Sequence, residues 1–407
     1  MYHTEKILKR CNFILSLHTK SLIFVAVFLF LFELNINFAF ASDSVAPKES
    51  INASELSNEW DKVFPENSEV SHHKITFHNR FGLTLVGDLY EPKNKNSSEK
   101  FSAIAVAGPY GAVKEQVSGL YAQEMAARGF LTLAFDPAYT GESAGEPRNM
   151  TDPSVNTEDF SAAVDYLSNL DNVDPERVGI IGICGWGGFG LSAAVADPRI
   201  KADVISTMYD MSRNMANGYF DNGRDPAEIR KERIEARKKI SAQRTEDYKN
   251  GSYKMAGGVP EKITDEMPQF VKDYNSFYQN KRGYHPRSFG STTGRILISS
   301  LSFMNMPILN YIDEIESPVL IIHGEKAHSR YYSEDAFKKL TGDNKELYII
   351  PGASSASEVM CDLIDMDKVS EKTANCIYLG IVHDTGVFKY NSTTRKTMEL
   401  AGLLIEK

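Results

Sequence analysis

The residues that could do chemistry lie at 178–190, VGIIGICGWGGFG. A β-branched run ends in Gly-x-Cys-x-x-Gly-Gly, and the small-residue-rich segment 189–196 that follows can be helical. Strand, tight turn and helix are the setting of a nucleophile elbow. There one side chain sits on strained backbone, its neighbours are small so that main chains can approach, and it projects above a sheet at a helix N-terminus. The helix dipole and free amides at that place favour a thiolate and a developing oxyanion. By register the position belongs to Cys184. The same residues also read as a buried structural cysteine in a glycine-rich strand–helix turn.

The elements that must position this turn follow from the apolar pattern. Residues 72–92 alternate and predict a hairpin turning near Arg80, Phe81 and Gly82. Short continuous apolar runs at 103–107, 130–136, 178–181, 202–208, 318–324 and 346–352 predict buried strands. Helical segments at 119–128, with Gly129 as its cap, at 156–170 and at 334–340 fall between them. Such alternation predicts an α/β fold, a doubly wound, mostly parallel sheet covered on both faces. It breaks at 211–316, a charged and then aromatic stretch that predicts a helical insertion, placed where a lid or substrate pocket is built. The Lys, Arg and Glu residues of 226–247 recur at helical spacing and predict a solvated helix face.

The 407 residues carry a net charge of −9, which argues against a nucleic-acid partner. Lys6, Lys9, Arg10 and Lys20 precede an apolar run at 22–32, and Ala39-Phe40-Ala41 stands before Ser42. Residues 1–41 therefore read as a secretory signal peptide, with a secreted or periplasmic destination and no stable membrane insertion after cleavage. An uncleaved anchor is the rival, although the clean apolar run is short of a span. Residues 42–70 read as a flexible linker, 71–353 as the folded domain, and 354–407 as an atypical, polar tail. Export implies oxidising surroundings. With Cys11 gone and Cys184 reserved, Cys361 and Cys376 are a candidate pair. His72 and His73 read as lying outside the sheet, without metal-ligand spacing, and neither a metal nor a cofactor is called for.

This order of elements and these motifs resemble the α/β-hydrolase superfamily, within it the dienelactone-hydrolase-like and X-Pro-dipeptidyl-peptidase-like branch, over about residues 72–353. The segments that carry the resemblance are GPYGAVKEQVSGLYAQEMAARGFLTLAFDPAYTGESAGEPR, GICGWGGFG, RGYHPRSFGSTT and PVLIIHGEKAHSRYYSEDAF. It implies Cys184 as nucleophile and the Gly185 amide as one oxyanion donor. The second donor is the Tyr110 amide, since Pro109 has no N–H. The sequence departs from the branch twice. The usual acid position is Ala327, which leaves Glu325, or Asp210 after the preceding strand. A histidine is expected shortly after ELYIIPGA, where Ser354 and Ser355 stand. His383 is the only histidine in the tail, either a base folded back onto the site or a surface residue. His323 and His328 flank Glu325, and His323, inside a strand, reads as packed. The change at Ser354 is abrupt, as an altered reading frame would make it.

The resemblance implies an exported hydrolase that cleaves a small ester or lactone through Cys184. Two alternatives stay open, a catalytically impaired hydrolase-fold binding protein and an exported peptidase of X-Pro type. Substrate and oligomeric state are not set by the sequence.

Overall fold

Eight strands form one sheet because their residues suit it. Most of the strand residues from Phe101 onward are β-branched or small and apolar, and most are buried. In the computed structural model the described residues are 48–93 and 100–353. In chain order they give β1 (Val70–His78), β2 (Thr84–Pro92), β3 (Phe101–Ala107), α1 (Val117–Ala127), β4 (Leu131–Phe135), α2 (Pro153–Ser168), β5 (Val173–Ile183), α3 (Gly185–Ala196) and β6 (Asp203–Ser206). The insertion contributes α4 (Met211–Asn217), α5 (Pro226–Asn250), α6 (Gln269–Tyr278) and α7 (Ser300–Asn305). Then come β7 (Val319–Gly324), α8 (Arg330–Phe337) and β8 (Lys345–Ile350). The spatial order is β1-β2-β4-β3-β5-β6-β7-β8. β2 runs antiparallel to β1 and β4, and all other pairs are parallel. This is the doubly wound α/β fold that the sequence predicts.

Alternate residues of the central strands serve opposite faces, as the period of two requires. Ala103, Ala105 and Ala107 join one core, where Phe135, Phe160, Trp186 and Phe189 meet edge to face at 5.2–5.7 Å. Ile104 and Val106 join the other, against Ala122 and Ala126 of α1. α2 starts on an Asp152 cap followed by Pro153, and Gly129 after α1 adopts φ +99°. The charged α5 buries only Ile240 and Asp247, so it is the solvated helix its composition predicts.

Several expectations need correction. Residues 48–69 are not a linker. Phe64 is buried, Trp60 Nε1 donates to the Phe64 carbonyl at 2.8 Å, and Lys62 reaches Asp88 at 2.7 Å. Apolar and charged anchors spaced along a polar segment escape a periodicity test. His72 and His73 lie in β1, inside the sheet, and His72 Nε2 is 3.0 Å from Asp88 Oδ1. The insertion is helical at α4–α7 but irregular over 251–268 and through most of 279–299. α8 begins four residues before the predicted helix and ends three before it. The signal segment, Cys361, Cys376, His383 and the tail lie outside the described residues. No helix among the described residues is long and apolar enough to cross a membrane.

Candidate active site

Cys184 is the last residue before α3, at φ +57° and ψ −121°, between β5 and the helix N-terminus. Such backbone is strained for a residue with a Cβ and persists only where the surroundings enforce it. Here they do. The Cys184 amide donates to the Ser206 carbonyl at 2.9 Å, and the Cys184 carbonyl accepts from Gly187 at 3.0 Å and Tyr209 at 2.9 Å. A Cβ on Gly185 would stand 2.7 Å from Tyr110 Cβ, so a glycine there lets the loop after β3 close over the turn.

The backbone amides of Gly185 and Tyr110 lie beside the Cys184 sulfur and favour its thiolate. These are the two amides that the sequence resemblance implies as donors. Burial nevertheless dominates and pushes the thiol up to about 11, with the two amides offsetting part of that rise. The thiol is therefore protonated near neutrality and needs a base to become a nucleophile.

Four phenols lie within electrostatic reach of the sulfur. Burial first, with the nearby Cys184 contributing, raises Tyr209, Tyr219, Tyr274 and Tyr278 above the ordinary tyrosine value. Tyr274 and Tyr278 belong to α6, which places that part of the insertion at the Cys184 end of the sheet. The Tyr209 hydroxyl bonds the Tyr274 hydroxyl at 2.8 Å and His328 Nε2 at 2.5 Å. The His328 ring stacks on Phe270 at 3.9 Å, and burial pushes it down to about 4, so it is neutral at ordinary pH. Sequence reasoning singled out His328 and an aromatic insertion but did not join them to Cys184, because the join is made across three separate elements.

The candidate acids are elsewhere engaged. Asp210 caps α4, its Oδ1 accepting from the Arg213 amide at 2.9 Å and from Ser212 Oγ at 2.5 Å. Glu325 is exposed, and its Oε2 accepts from the Gly352 amide at 2.7 Å. His323 is fully buried between the hydroxyls of Ser333 and Ser329, at 2.6 and 3.1 Å, the packed residue its strand position predicts. Among the described residues no hydrogen bond joins an imidazole to Cys184, Asp210 or Glu325, so the structure does not bring the predicted acids and a base together. The carboxylates of Glu115, Asp136 and Glu142 come within metal-ligating distance of one another. The Lys114 ammonium sits among them at 2.6–2.9 Å, so they neutralise an internal cation.

A family model described as X-Pro dipeptidyl-peptidase (S15 family) matches residues 82–353, the whole stretch from the β1–β2 turn to the turn after β8. The chain belongs to the X-Pro dipeptidyl-peptidase (S15) family. This S15 chain is 52% identical to the uncharacterised protein PA2218 of Pseudomonas aeruginosa over 301 residues, 74% of this chain and 79% of the relative. The crystal structure of PA2218 matches with a TM-score of 0.72 over 77% of this chain and 96% of that one. The acyltransferase drtE of Aspergillus calidoustus is 26% identical over 298 residues, 66% of this chain and 92% of the relative. The α/β hydrolase GrgF of Penicillium sp. sh18, at 19% identity, shares the fold with a TM-score of 0.52, covering 76% of this chain and 98% of that one. The S15 member thus has the α/β-hydrolase architecture.

Proposed function

We propose that this S15-family chain is a thiol-dependent hydrolase that cleaves small esters or lactones through Cys184. The observation that carries the reading is a sulfur held on strained backbone at a helix N-terminus, with the Gly185 and Tyr110 amides beside it. The Cys184 thiolate attacks the carbonyl carbon, the two amides hold the resulting oxyanion, and the alcohol leaves with a proton to give an acyl-thioester. Water then releases the acid and restores the thiol. The name of drtE, an acyltransferase, fits the same acyl-enzyme with a different acceptor. His383 remains the proposed base, while Asp210 and Glu325, engaged at the start of α4 and at the Gly352 amide, are not assigned as its acid. Membership of the S15 family keeps an X-Pro peptidase as the second reading.

The test is p-nitrophenyl acetate beside glycyl-proline p-nitroanilide. Wild-type protein should release a burst of p-nitrophenol and then turn over, and Cys184→Ala should do neither. A burst with no turnover would identify an impaired hydrolase, and anilide cleavage without ester cleavage would favour the peptidase. We propose export with it, for which the mature mass should place Ser42 at the N-terminus; a chain retaining residue 1 in the membrane fraction would refute it.

A further inference from the structure

The loop that carries the Tyr110 amide is held both by its own sheet and by the far end of the insertion. Ser288 Oγ donates to the Gly111 carbonyl at 2.6 Å, and the Gly290 amide donates to the same carbonyl at 3.0 Å. Phe289, between them, packs its ring on that of Tyr110 at 5.5 Å and lies where a Cβ on Gly111 would fall. Farther along the loop, Gln116 Nε2 donates to the Gly283 carbonyl at 2.5 Å. Glu115 Oε1 accepts from Arg287 at 2.7 Å, and the same guanidinium nitrogen reaches Asp61 at 2.7 Å. On the sheet side, Lys114 closes the anchor. Its amide and ammonium hold both oxygens of Asp136 at 2.9 Å, and its ammonium holds Glu115 at 2.6 Å. Lys114 and Glu115 are fully buried. The segment 283–290 therefore grips the loop at Gly111, one residue from the donor, and again at Glu115.

We propose that Arg287 and Ser288 are positioning residues, which hold the 109–116 loop so that the Tyr110 amide points at the Cys184 sulfur. This rests on the reading of Cys184 as nucleophile and of Tyr110 as oxyanion donor. The insertion then has two parts. α6 presents phenols to the site, and 283–290 is a fixed wall that completes the oxyanion hole.

The physical argument is one of leverage. A main-chain donor has no side chain of its own to adjust, so its aim is set by the residues that hold its loop. Loss of one oxyanion donor costs about 10²–10³ in rate in well-studied hydrolases. Loosening one, rather than removing it, should cost about tenfold. The effect falls on kcat, because the oxyanion exists in the transition state and not in bound substrate.

The experiment uses the full chain with Ser288→Ala, Arg287→Ala and Arg287→Lys. Two readouts are taken, steady-state hydrolysis of p-nitrophenyl acetate and the rate at which iodoacetamide alkylates Cys184 at pH 9, mapped by peptide mass. Ser288→Ala and Arg287→Ala should lower kcat about tenfold with KM within about twofold. They should also slow alkylation about threefold or more, because the thiolate loses an amide donor. The four phenols around the sulfur are unchanged in these variants, so the slowing isolates the amide. Arg287→Lys should recover most of both losses, since a single nitrogen of Arg287 makes both short contacts. Unchanged kcat and alkylation in folded Ser288→Ala and Arg287→Ala would overturn the proposal. So would an Arg287→Ala chain that fails to fold while Ser288→Ala behaves as wild type. Should wild-type protein release no p-nitrophenol at all, the hydrolase reading fails, and the alkylation rates alone decide whether the loop is positioned this way.

Discussion

Cys184 is a nucleophile candidate with an elevated thiol pKa, and that combination makes a sharp demand on a base. Burial raises the thiol to about 11, so the fraction present as thiolate grows with pH across the whole neutral and mildly alkaline range. An unperturbed thiol, at about 8.5, would level off well before pH 10. Alkylation of Cys184 by iodoacetamide, followed on its own peptide, should therefore keep rising about tenfold per pH unit from 7 to 10. A bend near pH 8.5 with a plateau above about pH 9.5 would show that the thiol is solvated and the site open. At this scale the sequence was legible for the strained strand–helix turn at Cys184 and for the backbone amides beside it, because both follow from register alone. It was not legible for the acid. The directions of the Glu325 and Asp210 side chains are set by the Gly352 amide and by the start of α4, and neither contact has a signature in residue spacing.

Elements were legible where composition forces the choice and obscure where it does not. β3, β4, β5 and β7 are each built around a short apolar stretch and overlap their predicted places, although β5 begins five residues earlier, at Val173, through the largely polar residues 174–177. Residues 48–69 failed because their anchors, Trp60, Lys62 and Phe64, make tertiary contacts with no periodic pattern. The glycines of the motif at 182–188 carry more than turn geometry. A Cβ on Gly187, inside α3, would stand 2.6 Å from Met208 Cβ and 2.9 Å from Ile205 Cγ2, both in fully buried residues. α3 can approach β6 only because that position lacks a side chain. Gly187→Ala should then destabilise the protein by about 1–3 kcal/mol through overpacking, despite alanine's better helix propensity. Urea denaturation checks this. A gain in stability would mean that α3 can shift away from β6 without loss.

For the whole molecule, buried ionisable groups shape how stability responds to pH. Burial raises the Asp159 carboxyl to about 7, against bonds from Asn79 Nδ2 at 2.9 Å and the Ala138 amide at 3.0 Å. Burial also raises Asp203, in β6 beside Ser317, to about 8. Both exceed the unfolded value of about 3.9, so the folded state holds their protons longer, and stability falls as pH rises from about 4 to 8. Two histidines act in the opposite sense. Burial depresses His323 to about 3 and His328 to about 4, below the unfolded 6.5, so their share of stability is lost as pH falls below 6.5. Between about 4 and 6.5 the two pairs oppose each other. Above 6.5 the histidines are neutral in both states and only the aspartates act. Thermal melting should therefore show a Tm that changes little from pH 5 to 6.5 and drops by on the order of a few °C from 6.5 to 8. Asp203→Asn keeps a group of the same size that cannot ionise, and it should remove much of the drop. An unchanged slope in that variant would show that Asp203 is already ionised in the folded protein, with Lys345, the cation acting on it, holding the charge.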